Sequence, residues 1–412
     1  MMQTQKNHWP SLSLLVIFAS SFFLLVILSA VTALISAMDL LSKRGDPAGE
    51  MISAFAFGFI AFLLCVCCWF VLQKTLGKEN ADFPVSFPFP LWQTAALIGV
   101  FVICISIGVL ITVAETPWLG WLTLPIFTIL VIVPPIWLIF NLGTKDISLG
   151  SRWQFFAVLG VGMTIGPVLM IITEIVLLVG MILFGAVYLS LSNPDLLKEL
   201  SNLGEVIRQT TDDQTVINLL TPYITDPAIL ITSVVYIALF VPLIEELLKP
   251  LALWVLGKRI ASPAQGFALG MLSGAAFALI ESLNASSNGS ISWGVIVGAR
   301  TGTSILHMTS SGLVGWGIAS AFKEKRWGRL AGAYLSAVLI HGVWNACAAG
   351  AGISAIGESL GKPEWVFNYT PAMICGLLVM GIGMVAVVLA SNRKLRHSQI
   401  QPIIEEKVES PA

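Results

Sequence analysis

Charge is what this sequence has least of. Of its 412 residues, 22 are Lys or Arg and 23 are Asp or Glu, 11% together, where soluble domains carry roughly 25%. With 56% hydrophobic residues and a mean hydropathy of +0.88, water is not its main solvent. A formal net charge of −1 gives no reason to expect nucleic acid as a partner, which would call for a clustered basic surface. The six cysteines, Cys65, Cys67, Cys68, Cys104, Cys347 and Cys375, all lie inside apolar runs. They read as buried apolar side chains rather than a disulfide framework. There is no low-complexity tract and no internal repeat. The missing repeat weighs against a secondary transporter, a class often built from related halves.

What is abundant is the long apolar run. Stretches of about 20 residues or more, enough to cross a bilayer, fall near 11–37, 51–72, 91–114, 118–142, 153–191, 228–257, 264–284, 290–321, 330–352 and 366–391. The fold class is therefore all-α, a polytopic membrane helix bundle of about ten spans. The run 153–191 is long enough for two crossings, but Gly166-Pro167 predicts a kink, and one span fits the loop charges better. With ten spans, Lys74 and Lys78, Lys145 and Arg152, Lys258 and Arg259, the Lys323–Arg329 cluster and Arg393–Arg396 share one side. Cytoplasmic loops carry excess Lys and Arg, so both termini are expected in the cytoplasm. Lys43 and Arg44 dissent, in a loop that also holds Asp39, Asp46 and Glu50.

The chain then divides into an N-terminal membrane part (1–191), an extracytoplasmic amphipathic segment (192–227), a five-span core (228–391) and a tail (392–412). In the segment, Asn193-Pro194 starts a helix, and Leu196, Leu200, Leu203 and Ile207 recur at helical spacing, as for a helix lying on the membrane surface.

An ionisable side chain within a span costs roughly 2.5–3.5 kcal/mol on insertion scales and is by default a functional hypothesis. The core concentrates such groups. Glu245 and Glu246 are adjacent, with Lys249 reachable from both at i+4 and i+3. Gly266, Gly270 and Gly274 let another helix approach closely, and Phe277 and Glu281 follow on the same helix. Arg300 and His307 are seven residues apart and share a face. His341 and Asn345 do so at i, i+4. Taken singly, each has a bland reading as a local ion pair, a wetted helix end or a packing hydrogen bond, and for the two histidine motifs that is the safer one. Counted at 1.5 Å per residue from the positively charged helix ends, however, Glu245 lies about 20 Å deep, His341 about 17 Å, His307 about 22 Å and Glu281 about 26 Å. Four consecutive helices thus carry acid and imidazole groups at comparable depth. His8 and His397, in polar termini, are expected to be solvated.

Glu245-Glu246-x-x-Lys249, Phe277-x3-Glu281, Arg300-x6-His307 and His341-x2-Trp344-Asn345 together resemble, in order and spacing, the motifs of the PrsW family of intramembrane proteases, which are related to CAAX-prenyl proteases and bacteriocin-processing enzymes. The resemblance covers roughly 228–350. It implies cleavage of a membrane-anchored protein within a lipid bilayer and a bacterial plasma-membrane setting. It also implies catalytic roles for Glu245, Glu246, Glu281, His307, His341 and Asn345, with Lys249, Phe277 and Arg300 in support.

Two mechanisms satisfy the need for an activated water, an oxyanion donor and an acid for the leaving amine. In a glutamic mechanism, slightly favoured because the adjacent carboxylates with Lys249 explain more residues, Glu245 or Glu246 is the base, His341 and Asn345 hold the oxyanion, and no cofactor is required. In a metal-dependent one, His307, His341 and Glu281 bind Zn²⁺ with an open fourth position. The motif HExxH is absent, so the ligands would come from separate helices. An ion-coupled transporter using the same groups, or a scaffold that has kept the fold without catalysis, are the competing classes.

Overall fold

The computed structural model of the protein describes residues 9–85, 90–114, 116–210, 212–224, 226–359 and 369–408. Expectations placed on the extreme termini, including His8, and on the first residues of the run 366–391 lie outside them. The described residues form helices without a β-strand: α1 (Trp9–Ser42), α2 (Pro47–Thr75), α3 (Leu91–Val113), α4 (Pro117–Thr144), α5 (Arg152–Met163), α6 (Ile165–Ser192), α7 (Pro194–Gln209), α8 (Asp213–Ile224), α9 (Pro227–Val235), α10 (Val241–Leu248), α11 (Leu251–Leu256), α12 (Pro263–Ala285), α13 (Trp293–Glu324), α14 (Trp327–Ser359) and α15 (Thr370–Val408).

Among the described residues, nine helical stretches are long and apolar enough to cross a membrane. The stretch Arg152–Ser192 counts as one of them, with a break at Thr164 (φ −126°, ψ −87°) between α5 and α6. The expected span 290–321 is not among the nine. It is α13, a helix of 32 residues, long enough at about 48 Å but rich in Gly, Ser and Thr. Most of the middle of α13 is buried, so its surroundings are other helices rather than lipid, and it has no need of an apolar surface.

Packing divides the chain into two compact units. The first is drawn from Met1–Pro167, Glu246–Ala337 and Gly381–Ala412. At its centre runs α12, with 18 of its 23 residues buried, a proportion that only a helix surrounded on all sides attains. Small residues make this possible. A Cβ at Gly266 would meet the Gly315 carbonyl, one at Gly270 the Ser311 carbonyl, and one at Gly274 the His307 carbonyl. The α12 and α13 backbones therefore touch along two turns, as the glycine spacing predicts. Around this pair Phe18, Leu64, Phe140, Trp153, Leu253, Phe267 and Met271 form one apolar core. A second cluster centres on Trp293, whose indole N–H donates to Thr128 Oγ1 at 2.9 Å.

This unit sorts its charges. At one end Lys74 pairs with Asp82 at 2.8 Å, Lys323 Nζ donates to the Lys258 carbonyl at 3.0 Å and Arg396 reaches Asp146 at 3.5 Å. At the other end Asp46 caps α2, its Oδ1 accepting from Gly49 N, while its Oδ2 takes the Gly289 N–H at 2.8 Å and ties down the loop before α13.

The second unit comprises Val168–Glu245 and Val338–Met380. Its α6 exposes Ile171, Ile175, Val179, Ile182 and Phe184, an apolar face that would be an aggregation surface in water and is natural against lipid. Asn193 Oδ1 accepts from Leu196 N and caps α7, where the sequence places a helix start. None of the residues of α7 is buried, and α7 is joined to α8 by a Tyr223–Glu199 hydrogen bond of 2.8 Å.

Candidate active site

The division between the units falls between Glu245 and Glu246, so the two adjacent carboxylates are described with different neighbours.

In the first unit, α10 ends at Leu248 because Pro250 has no N–H to continue the ladder. The chain restarts as α11, with Leu253 N donating to the Pro250 carbonyl at 2.8 Å. This leaves the Lys249 carbonyl outside the ladder, and the buried Ser273 hydroxyl on α12 donates to it at 2.5 Å. The turn is thereby fixed, and it delivers the Lys249 side chain, 1% exposed as a residue, into the bundle. Its ammonium donates to Glu246 Oε1 at 2.8 Å and to His307 Nδ1 at 2.8 Å. It also lies 4.7 Å from the centre of the Phe277 ring, a cation–π distance. Phe277 in turn meets the His307 ring edge to face, with centroids 4.9 Å apart.

An ammonium has only donors, so Nδ1 of His307 accepts and the neutral ring carries its proton on Nε2. That nitrogen lies 2.6 Å from Glu281 Oε2, and the same carboxylate oxygen takes Arg300 at 2.5 Å. Arg300 Nε also donates to Ser282 at 3.3 Å. Glu246, Lys249, Phe277, Glu281, Arg300 and His307, six of the nine residues singled out in the sequence, form one continuous network here. His307 is positioned by Gly274, since contact between its carbonyl and α12 brings its ring level with Phe277.

The second unit holds the other three. A π-helical turn, Tyr236–Phe240, precedes α10, and through it the Val241 N–H bonds back to the Tyr236 carbonyl. A regular helix would direct that N–H to Ile237. Pro242, one residue on, has no N–H to offer Ala238. Two carbonyls are thus released from the ladder, and α14 meets both. Asn345 Nδ2 donates to the Ile237 carbonyl at 3.0 Å, and Gly342 approaches so closely that a Cβ would overlap the Ala238 carbonyl. Asn345 therefore anchors α14 to the segment that carries Glu245. His341, one helical turn before Asn345 and 2% exposed, has its Nε2 3.9 Å from Glu245 Oε2. That is too long for a hydrogen bond. It is close to the spacing of two donors bound to one ion, roughly 3.4 Å for tetrahedral ligands each about 2.1 Å from Zn²⁺.

A family model described as PrsW family intramembrane metalloprotease matches residues 151–390, more than half of the chain. The protein belongs to the PrsW family. No curated protein and no solved structure gives a significant match. Membership makes it an intramembrane peptidase, an integral membrane protein whose substrates are membrane-anchored proteins. The transporter reading loses its ground.

Three positions of this PrsW-family chain bear on the site although sequence reasoning did not single them out: Ser273, Pro242 and Tyr334. Tyr334 sits seven residues before His341, on the same face of α14. That spacing is the signal that would have found it. Pro242 could have been read as a break in the ladder, whereas the Ser273 contact joins residues 24 apart and leaves no local trace.

Proposed function

We propose that the protein hydrolyses peptide bonds of membrane-anchored proteins inside the bilayer, with His307, His341 and Glu245 as ligands of a divalent metal ion and Glu246 as the general base. The observation that carries this reading is the burial of Glu245, Glu246, Lys249, His307 and His341, which an apolar bundle tolerates only for function.

The donor set fits a metal. All three proposed ligands are buried imidazole or carboxylate, the combination that catalytic zinc sites use. The hydrogen bond of His307 Nε2–H to Glu281 is the carboxylate–histidine pairing that orients ligating imidazoles through their other nitrogen. This leaves Nδ1 as the ligating atom and assigns Glu281 to orientation, with Arg300 holding its carboxylate. A bound metal would supply Lewis-acid activation of water and of the scissile carbonyl.

The remaining work falls to the chain. Glu246 takes the proton as the water oxygen bonds to the carbonyl carbon, then returns it to the amine nitrogen as the carbon–nitrogen bond breaks. Lys249 beside it, 2.8 Å from its Oε1, pairs with that carboxylate in an apolar setting. The Lys249 ammonium donates to His307 Nδ1 in this structure, so metal binding requires the lysine to release that nitrogen and keep Glu246 alone. The glutamic alternative uses the same Glu246 without the ion. The metal reading is preferred because the matched family is described as metalloproteases and because of the Glu245–His341 spacing.

The test is cleavage of tagged single-span proteins in proteoliposomes by wild type and by Glu245→Gln, Glu246→Gln, His307→Ala and His341→Ala. Wild type cuts, each variant loses at least a hundredfold, and a chelator abolishes cutting until Zn²⁺ is restored. Cutting that persists through exhaustive chelation returns the mechanism to the glutamic form. Variants that cut as well as wild type remove these residues from the site.

A further inference from the structure

Away from the active site, the first unit contains a cleft of about 590 Å³, within the roughly 300–1,000 Å³ of small-molecule sites. Its walls come from α1 (Pro10, Ser13, Leu14), α5 (Trp153, Ala157, Val161), the first residue of α6 (Ile165) and α11 (including Leu251 and Trp254), and the exposed Lys258 and Arg259 line it as well. We propose that this cleft binds one acyl chain of an anionic phospholipid, whose phosphate is held by Lys258 and Arg259.

Dimensions separate this occupant from the obvious rival, a substrate helix. Trp153 on α5 and Ile165, the first residue of α6, are twelve residues apart across the break at Thr164, about 18 Å at the helical rise and close to the roughly 15 Å of one leaflet's hydrocarbon. Spread over that length, 590 Å³ corresponds to a channel about 6–7 Å wide, whereas a helix with side chains needs roughly 10–12 Å. A single hydrocarbon chain fits, and a helix does not.

Charge decides the headgroup. Lys258 and Arg259 lie at the end of the unit where Lys74, Arg152 and Lys323 also gather, the end that the bias of Lys and Arg toward the cytoplasmic side assigns to the inner leaflet. Two cations at an apolar cleft select a phosphate of net negative charge over a zwitterion.

The site is connected to the chemistry by sequence. Leu251, Ala252, Trp254 and Val255 line the cleft and follow directly on Lys249 and Pro250. An acyl chain packed on α11 therefore supports the turn that delivers Lys249. Binding of the lipid does not rest on the peptidase reading, and its test measures binding alone.

Trp153 and Trp254 are built-in reporters, because bromine on an acyl chain quenches indole fluorescence at contact. Phosphatidylglycerol with brominated chains, titrated into the full-length protein in detergent micelles, is expected to quench saturably, and part of that quench disappears in Trp254→Phe. Phosphatidylcholine with the same chains should bind about thirty-fold more weakly, as should phosphatidylglycerol to Lys258→Gln/Arg259→Gln. Both substituted residues are exposed, so the variant is expected to elute as wild type in size exclusion. Water-soluble glycerol phosphate should not compete. Equal quenching by the two lipids, an unchanged affinity in the double variant, or competition by glycerol phosphate overturns the proposal and leaves only bulk lipid or a free-phosphate contact.

Discussion

Replacing Lys249 with methionine keeps the length and most of the volume of the side chain but removes the ammonium that pairs with Glu246. Both members of that pair have side chains with no exposure, and they lie 2.8 Å apart. Breaking a buried pair by deleting one member costs about 3–5 kcal/mol, because the survivor is left charged in a medium that cannot solvate it. Replacing both members by apolar residues of similar volume is often neutral or stabilising. Lys249→Met should therefore lose about 3–5 kcal/mol, roughly a 150- to 4,000-fold fall in the folding equilibrium constant, while Glu246→Met/Lys249→Met recovers most of it. The assay is reversible unfolding in mixed micelles, followed by helical circular dichroism, for wild type, both single variants and the double, closed as a double-mutant cycle. A Lys249→Met protein as stable as wild type, or a double variant no more stable than Lys249→Met, refutes the claim that the lysine neutralises Glu246.

The same substitution frees Nδ1 of His307. If metal and ammonium compete for that nitrogen, Lys249→Met should bind Zn²⁺ about 10- to 100-fold more tightly in a chelator-competition titration, the equivalent of one charge-assisted hydrogen bond. Glu281→Gln keeps an acceptor for His307 Nε2–H but loses the ion pair with Arg300. It should lower metal affinity or cleavage by about 10- to 100-fold without abolishing either, read from the same titration beside proteoliposome cleavage. Gly274→Ala drives a methyl into the His307 carbonyl and should cost about 1–3 kcal/mol together with most of the activity. At Gly332, where nothing lies within 4 Å, the same change should be neutral or stabilise by about 0.5–1 kcal/mol; thermal unfolding of the two variants side by side decides. Asn345→Ala leaves the Ile237 carbonyl without its donor and should destabilise by about 1–3 kcal/mol. Asn345→Asp should do no better, since a carboxylate has no proton to donate, whereas Asn345→Gln tests only reach.

The membrane fold was legible because its signals are local. Apolar length alone locates the spans, glycines at i, i+4 and i+8 announce the α12–α13 contact, and the Asn193-Pro194 start of α7 is a chemical signature rather than a statistical one. The run 290–321, expected as a span, is α13, which is not among the nine apolar stretches and shows the limit of that signal, since a helix wrapped by protein need not be apolar. The partners within the site were less legible. From spacing alone Lys249 could neutralise either Glu245 or Glu246, and the choice of Glu246 follows from the bend at Pro250 and the hold of Ser273, a long-range effect. Similarly Glu281 and His307 sit on adjacent helices at related depth, but which nitrogen faces the carboxylate depends on where Lys249 ends up. Asn345 reads from the sequence as an oxyanion donor beside His341 or as a hydrogen bond between helices, and its particular partner, the Ile237 carbonyl, emerges only once the π turn has released it.

Glu245, Lys249, His307 and His341 each stand next to a break in the helical ladder or a close backbone contact. The π turn and Pro242 come just before Glu245, Pro250 directly after Lys249, Gly274 against His307 and Gly342 beside His341. In a bilayer such flaws are costly, because a carbonyl released from the ladder has no water to turn to. Here the released carbonyls of Ile237 and Lys249 are taken by Asn345 and Ser273, and those side chains thereby lock one helix to another at the level of the reacting groups. A regular helix would satisfy its own backbone and could slide or rotate against its neighbour at little cost. A helix with a carbonyl that only one partner side chain can reach has a fixed register. The defects thus convert an unavoidable hydrogen-bonding debt into positional accuracy, in a bundle whose apolar contacts, being as favourable with lipid as with protein, do little to define register by themselves.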